Sequence, residues 1–152
     1  MADIQFSKWQ GTGNDFIILD NRDLKIGEPA SETIKSLCDR RFGIGADGLM
    51  ILNSNPFYDF SMQYFNADGI EAEMCGNGAR CMIGFTHELG IIRDETKFMA
   101  RDGVHNGRVL KEDYYQIQMI DLKEFRKSPE YYFLNTGVPH VVIFVEDIDK
   151  IN

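Results

Sequence analysis

The chain has 152 residues, a net charge of −8, and 43% hydrophobic and 12% aromatic residues. That is enough apolar material for a sizeable core and for one domain, or one domain and part of another, and it excludes a chain disordered by composition. The acidic balance argues against nucleic acid as a partner, because phosphate binders concentrate Lys and Arg.

The N-terminal residues show neither a basic n-region nor an apolar h-region, and no apolar run approaches membrane-spanning length. Cys38, Cys75 and Cys81 are an odd number of thiols without a visible secretion signal, so reduced cysteines in a cytoplasmic protein are expected.

In chain order, Ile4 and Phe6 alternate with polar neighbours and predict a short strand that ends at Gly11-Thr12-Gly13-Asn14. Phe16 to Leu19 is a compact apolar run and predicts a buried strand, so the glycines between the two fit a hairpin loop. This GTG precedes a strand rather than a helix, which argues against a nucleotide-phosphate loop. Pro29 and Ser31 ahead of Ile34, Leu37 and Cys38 predict a helix of about three turns, with Cys38 as a small core residue. A Gly-rich loop, RRFGIGADG, leads to a buried strand from Leu49 to Leu52. Phe60, Met62 and Tyr64 then alternate with polar residues in a half-buried strand.

That strand runs into YFNADGIEAEMCGNGARCM, the most informative stretch of the chain. Asn66-Ala67-Asp68-Gly69 reads as a tight turn. Cys75-Gly76-Asn77-Gly78 opens a helix that is apolar nearly all round, and is therefore buried, with Gly90 closing it. Tyr115, Ile117 and Met119 show period-2 alternation. Asp121 to Glu130 is charged, carries Pro129, and reads as a connector. Tyr131 to Phe133 and Val141 to Val145 read as strands around Asn135-Thr136-Gly137-Val138-Pro139-His140, and no closing element follows.

A cysteine at a helix start faces unpaired backbone N–H groups and the positive end of the helix dipole, both of which favour the thiolate. The same N–H groups, approachable through Gly76 and Gly78, could hold a carboxylate or phosphate beside the sulfur, with donors from Asn66 and Asn77. Such a thiol could attack a carbon or remove a proton. The alternative is a structural cysteine ahead of a Gly-rich cap. Cys81 lies about 9 Å further along the helix and on another face, so the two sulfurs cannot flank one substrate atom. The cysteine spacing fits no zinc pattern, and no metal is expected. His140, at a strand entrance, could exchange a proton with Cys75 or could be a packing histidine; His87 and His105 read as structural.

The stretches FSKWQGTGNDFIILD, RRFGIGADGLMIL, YFNADGIEAEMCGNGARC and NTGVPHVVIFVED resemble successive motifs of diaminopimelate epimerase, in their usual order. The resemblance implies an α/β (α+β) fold in which a mixed sheet wraps around a central helix, as one complete domain over residues 1–121 and the start of a second over 122–152. It also implies a cofactor-independent isomerase that converts LL- to meso-diaminopimelate on the route to lysine and peptidoglycan. In that chemistry one cysteine removes the α-proton and a second protonates the opposite face.

Cys75 matches the first catalytic cysteine, and His140 the histidine paired with it. Asn14, Asn66, Gly76 and Asn77 match substrate-contacting positions. Gln10, Gly48 and Val138 depart from the pattern, standing where a His, a Gln and an Asn are common. Nothing matches the second Cys-Gly-Thr-Gly helix start, so the chain reads as an N-terminal portion that is inactive when isolated. A small-molecule substrate is the expected partner, and the full-length protein is compatible with a homodimer. Two other readings stay open: another racemase or PhzF-like isomerase of the same fold, and a half-length carboxylate-binding protein without catalysis.

Overall fold

β1 (Ser7–Gly11) and β2 (Asn14–Asp20) form a hairpin around Thr12 and Gly13, which have φ of 60° and 82°. A two-residue loop with two positive φ values matches the right-handed twist of paired strands. In the computed structural model, residues 4–122, 124–136 and 139–151 are described. They divide into two compact units, Met1–Gln118 and Met119–Asn152. β1 begins at Ser7, so the strand predicted around Ile4 and Phe6 starts later; both side chains are exposed.

α1 (Ser31–Cys38) is eight residues long, nearer two turns than the predicted three. It stops at Asp39, whose backbone is extended and whose Oδ1 accepts from the N–H groups of Arg41 and Phe42, at 2.7 Å each. Those bonds hold the chain in a loop and compete with another helical turn. β3 (Gly48–Asn53), β4 (Phe60–Asn66) and the short β5 (Glu71–Ala72) follow, and then α2 (Gly76–Glu88). Leu89 caps α2 and Gly90, at φ 69°, takes the left-handed position after it, as expected. β6 (Glu95–Ala100), β7 (Gly103–Lys111) and β8 (Tyr114–Ile117) complete the first unit.

The sheet runs β1-β2-β3-β4-β6-β7-β8, with β5 alongside β4, and mixes parallel pairs (β2 with β3, β4 with β6) with antiparallel ones. Successive side chains of a strand point to opposite faces, so the unbroken apolar runs at residues 16–19 of β2 and 49–52 of β3 serve both faces of the sheet. Phe16, Ile18, Met50 and Leu52 face α2, together with Met82, Ile83 and Phe85 of that helix. Ile17, Leu19, Leu49 and Ile51 face the other way and pack with Ile34 and Cys38 of α1. The central strands are thus buried on both faces, and the long helix is the core of the larger cluster.

The sheet curls around α2, because strands at both ends of its order, β1 and β8, reach the same helix. The meeting point is Gly84. A Cβ there would stand 2.6 Å from Trp9 of β1 and 2.6 Å from Tyr115 of β8. Trp9 also meets Phe85 edge-on, with ring centroids 6.3 Å apart. This is the predicted α+β arrangement of a mixed sheet around a central helix.

In the second unit the predicted connector carries a short strand, β9 (Phe125–Lys127), which pairs with β10 (Tyr132–Asn135). β10 pairs in turn with β11 (Pro139–Val142). The strand expected to reach Val145 ends at Val142, and a 3-10 turn, Ile148–Lys150, follows where no closing element was expected. β9 and β11 are exposed along their whole length. Among the described residues, no helix is long and apolar enough to cross a membrane.

Candidate active site at the start of the central helix

Strand register gathers the site at one end of the sheet. Phe16 pairs with Gly48 and Gly48 with Asn66, so the start of β2, the start of β3 and the end of β4 lie side by side. Asn14, Asp47 and Asn66 are brought to this end by pairing alone. α2 begins here with Cys75 as its N-cap, half-buried and with extended backbone.

Ala79 N–H donates to Cys75 C=O at 2.7 Å and so opens the helical ladder. The N–H groups of Gly76, Asn77 and Gly78 therefore precede any i−4 partner within the helix and form a site suited to an anion. The Cys75 thiol donates to Asn14 Oδ1 at 3.6 Å, and Asn77 Nδ2 donates to the same oxygen at 3.4 Å. Asn14 thus presents its carbonyl end to the sulfur.

Two residues outside the sequence-level candidates, Asp47 and Arg80, orient these amides. Asn14 Nδ2 donates to Asp47 Oδ2 at 2.7 Å, and Asp47 is held by Arg40 at 2.8 Å and by the Asp15 N–H at 3.1 Å. The Asn14 amide is the main cause that holds the Asp47 carboxyl below its ordinary range. Arg40 does the same to Asp15, assisted by Lys8 at 2.7 Å. Arg80 donates to Asn77 Oδ1 at 2.5 Å, to Thr12 Oγ1 at 3.1 Å and to Gly76 C=O at 3.2 Å.

Tyr64 Oη donates to Asn66 Oδ1 at 2.8 Å, and burial keeps that phenol protonated, pushed up to about 12. Gly48 is small for a visible reason, since a Cβ there would stand 2.6 Å from the Tyr64 ring and 2.5 Å from Phe65 C=O. Gln10 turns to its own hairpin and accepts from Gly13 N–H at 3.0 Å.

Asp47 lay in view within the GADG loop, and Arg80 carried a faint signal: a cation near a helix N-terminus opposes the dipole and calls for a partner. Tyr64 carried no such signal beyond strand alternation.

The other thiols are core, as expected. Cys38 and Cys81 are buried, and burial pushes both upward, Cys81 to about 11. His105 is buried with Nε2 2.9 Å from Asp102 Oδ1 and its ring against Phe98, consistent with a structural part. His140 belongs to the second unit, in β11 opposite Leu134, with Nδ1 3.5 Å from Thr136 Oγ1. Gly137 and Val138 lie outside the described residues.

A sequence model of the diaminopimelate epimerase family matches residues 6–103. The diaminopimelate epimerase of Flavobacterium psychrophilum is 46% identical over 143 residues, covering 94% of this chain and 56% of its own length. That of Aquifex aeolicus is 38% identical, covering 98% and 60% respectively. The chain therefore spans little more than half the length of these curated relatives.

Among solved structures, a PhzF-family protein of Bacillus anthracis superposes with a TM-score of 0.65 at 17% identity, over 96% of this chain and 56% of that one. A hydroxyproline epimerase from Agrobacterium vitis gives 0.64 at 11%, over 92% and 51%. At such identities these two speak for the fold alone. On the family match, the relatives and the fold together, the chain belongs to the diaminopimelate epimerase family.

Proposed function

We propose that residues 1–152 supply one half of a cofactor-independent, two-cysteine active site that interconverts LL- and meso-diaminopimelate, on the route to lysine and peptidoglycan. The observation that carries this reading is the convergence of the Cys75 thiol and the Asn77 amide on Asn14 Oδ1 at the start of the central helix.

In this reading the helix N–H groups, with Asn14, Asn66, Gly76 and Asn77, bind the substrate's α-carboxylate and α-amino groups. A thiolate removes the α-proton, the electron pair spreads into the carboxylate, and a thiol on the opposite face returns a proton to carbon. No net proton is consumed, and the two sulfurs exchange protonation states. Cys75 is one of them. The second belongs to sequence outside this chain, because Cys38 and Cys81 are core residues. His140 is assigned a catalytic part by the family resemblance. Residues 1–121 form the first domain of the enzyme, and 122–152 open the second. The protein works in the cytoplasm on a small-molecule substrate.

The test uses the full-length enzyme that carries this segment. It should exchange the substrate α-proton with deuterated solvent, and Cys75→Ala should lower inversion by at least about 10²–10⁴-fold, the contribution of one positioned acid–base group. Inversion that persists in Cys75→Ala would remove the residue from the mechanism. Epimerisation by residues 1–152 alone would place the second base within them and overturn the half-site reading.

A further inference from the structure

We propose that Asp47 and Arg80 are positioning residues that clamp the side-chain amides of Asn14 and Asn77 into a single head-to-tail orientation at Cys75. This rests on the reading of those asparagines as substrate contacts, and it concerns residues that neither motif spacing nor helix geometry assigns to the site.

The chain of bonds runs from an anion to a cation. Asp47 Oδ2 accepts from Asn14 Nδ2 at 2.7 Å, and Asn14 Oδ1 accepts from Asn77 Nδ2 at 3.4 Å. Asn77 Oδ1 then accepts from Arg80 Nη2 at 2.5 Å. An amide can ordinarily be turned end for end at little cost, because its oxygen and nitrogen have the same shape. Here neither can. A carboxylate only accepts, so the Asn14 NH2 must point to Asp47. A guanidinium only donates, so the Asn77 oxygen must point to Arg80.

With both ends imposed, the middle bond has one polarity, and the Asn14 carbonyl is left facing the Cys75 sulfur at 3.6 Å. Each amide keeps one N–H that the chain of bonds does not use, which is a donor for a bound carboxylate. The end groups are themselves anchored: Arg40 and the Asp15 N–H hold Asp47, while Thr12 and the Gly76 carbonyl hold Arg80. Charge-assisted bonds of this kind are the stronger class, so the orientation survives without ligand.

The substitution that removes the constraint with least change of shape is Asp47→Asn, whose side chain can donate or accept and so lets Asn14 turn. The readout is the rate of Cys75 alkylation in the ligand-free full chain by iodoacetate relative to iodoacetamide. Both reagents meet the same exposure, and Asp15→Asn, which removes a neighbouring carboxylate but leaves the Asn14–Asp47 bond in place, gives the part of the ratio due to lost negative charge. Once the Asn14 NH2 can face the sulfur, the anionic reagent is favoured further, and the ratio should rise at least about threefold beyond that of Asp15→Asn, the scale of one ordinary hydrogen bond. A ratio in a folded Asp47→Asn chain no higher than that of Asp15→Asn would overturn the proposal.

If that variant does not fold, nitrogen-15 NMR of the unsubstituted chain decides. Asn14 side-chain amide protons should exchange at least about fivefold more slowly than those of free asparagine, and exchange equal to free asparagine would overturn the clamp. Neither measurement needs substrate, so the clamp can fail while the epimerase reading stands, and the reverse.

Discussion

Gly84→Ala tests whether the sheet is closed around the central helix by contact at one small residue. The new Cβ would stand 2.6 Å from Trp9 Cζ3 and from Tyr115 Cε2, and 2.9 Å from Tyr115 Cζ, against an ordinary contact of 3.4–4 Å. Two rings on opposite edge strands must each move by close to an ångström. Moving them off their rotamers costs about 0.5–1.5 kcal/mol each, within the roughly 1–3 kcal/mol typical of overpacking. Alanine returns about 1 kcal/mol of helix propensity. With both rings near the upper end of that range, the net loss is about 1–2 kcal/mol, or roughly 2–8 °C in Tm for a chain of this size.

Gly78→Ala is the matched control in the same helix, since its Cβ would first meet the flexible end of Met50 at 3.0 Å, which can give way. Subtracting the two melts cancels the propensity gain and isolates the closing contact. Thermal unfolding followed by circular dichroism reads both. A Gly84→Ala chain that melts at or above the unsubstituted protein, or falls no further than Gly78→Ala, would refute the closure argument.

Cys75 should be alkylated by iodoacetamide near neutral pH at least about tenfold faster than Cys38 or Cys81, which are 4% and 3% exposed and whose thiols burial pushes upward. Peptide mass spectrometry separates the three, and comparable labelling would refute the site assignment. Acid should unfold the first unit in part through Asp15. Its carboxyl is held low, chiefly by Arg40, so the stabilisation is fully present above the unfolded value near 4 and is lost as pH falls through the folded value. Asp15→Asn should lower stability at pH 7 and flatten the acid limb; an unchanged limb would show that the Arg40 pair contributes nothing. Tyr64→Phe should leave the fold intact and raise KM more than it lowers kcat in the full-length enzyme, because it frees the Asn66 amide. A Tm drop with unchanged kinetics would assign Tyr64 to packing alone.

Local chemistry in the sequence determined a great deal here. Continuous apolar runs marked β2 and β3, alternation marked β4, the Thr12-Gly13 turn marked the first hairpin, and Cys75 followed by two glycines marked the start of the buried helix and a candidate site there. These are short-range effects: side-chain periodicity, left-handed turn positions and unpaired N–H groups at a helix end act within a few residues. Helix and strand ends were less legible, as α1 and β11 show, because capping and edge bonds compete there on nearly equal terms.

What only the tertiary structure decided is how the candidate residues are aimed. Asp47 reaches Asn14 across 33 positions, and Asn77 reaches it across 63. Trp9 and Tyr115 meet over Gly84 from opposite edges of the sheet. Amide orientation and sheet closure depend on partners distant in the chain and set by strand register, and no local pattern carries that information.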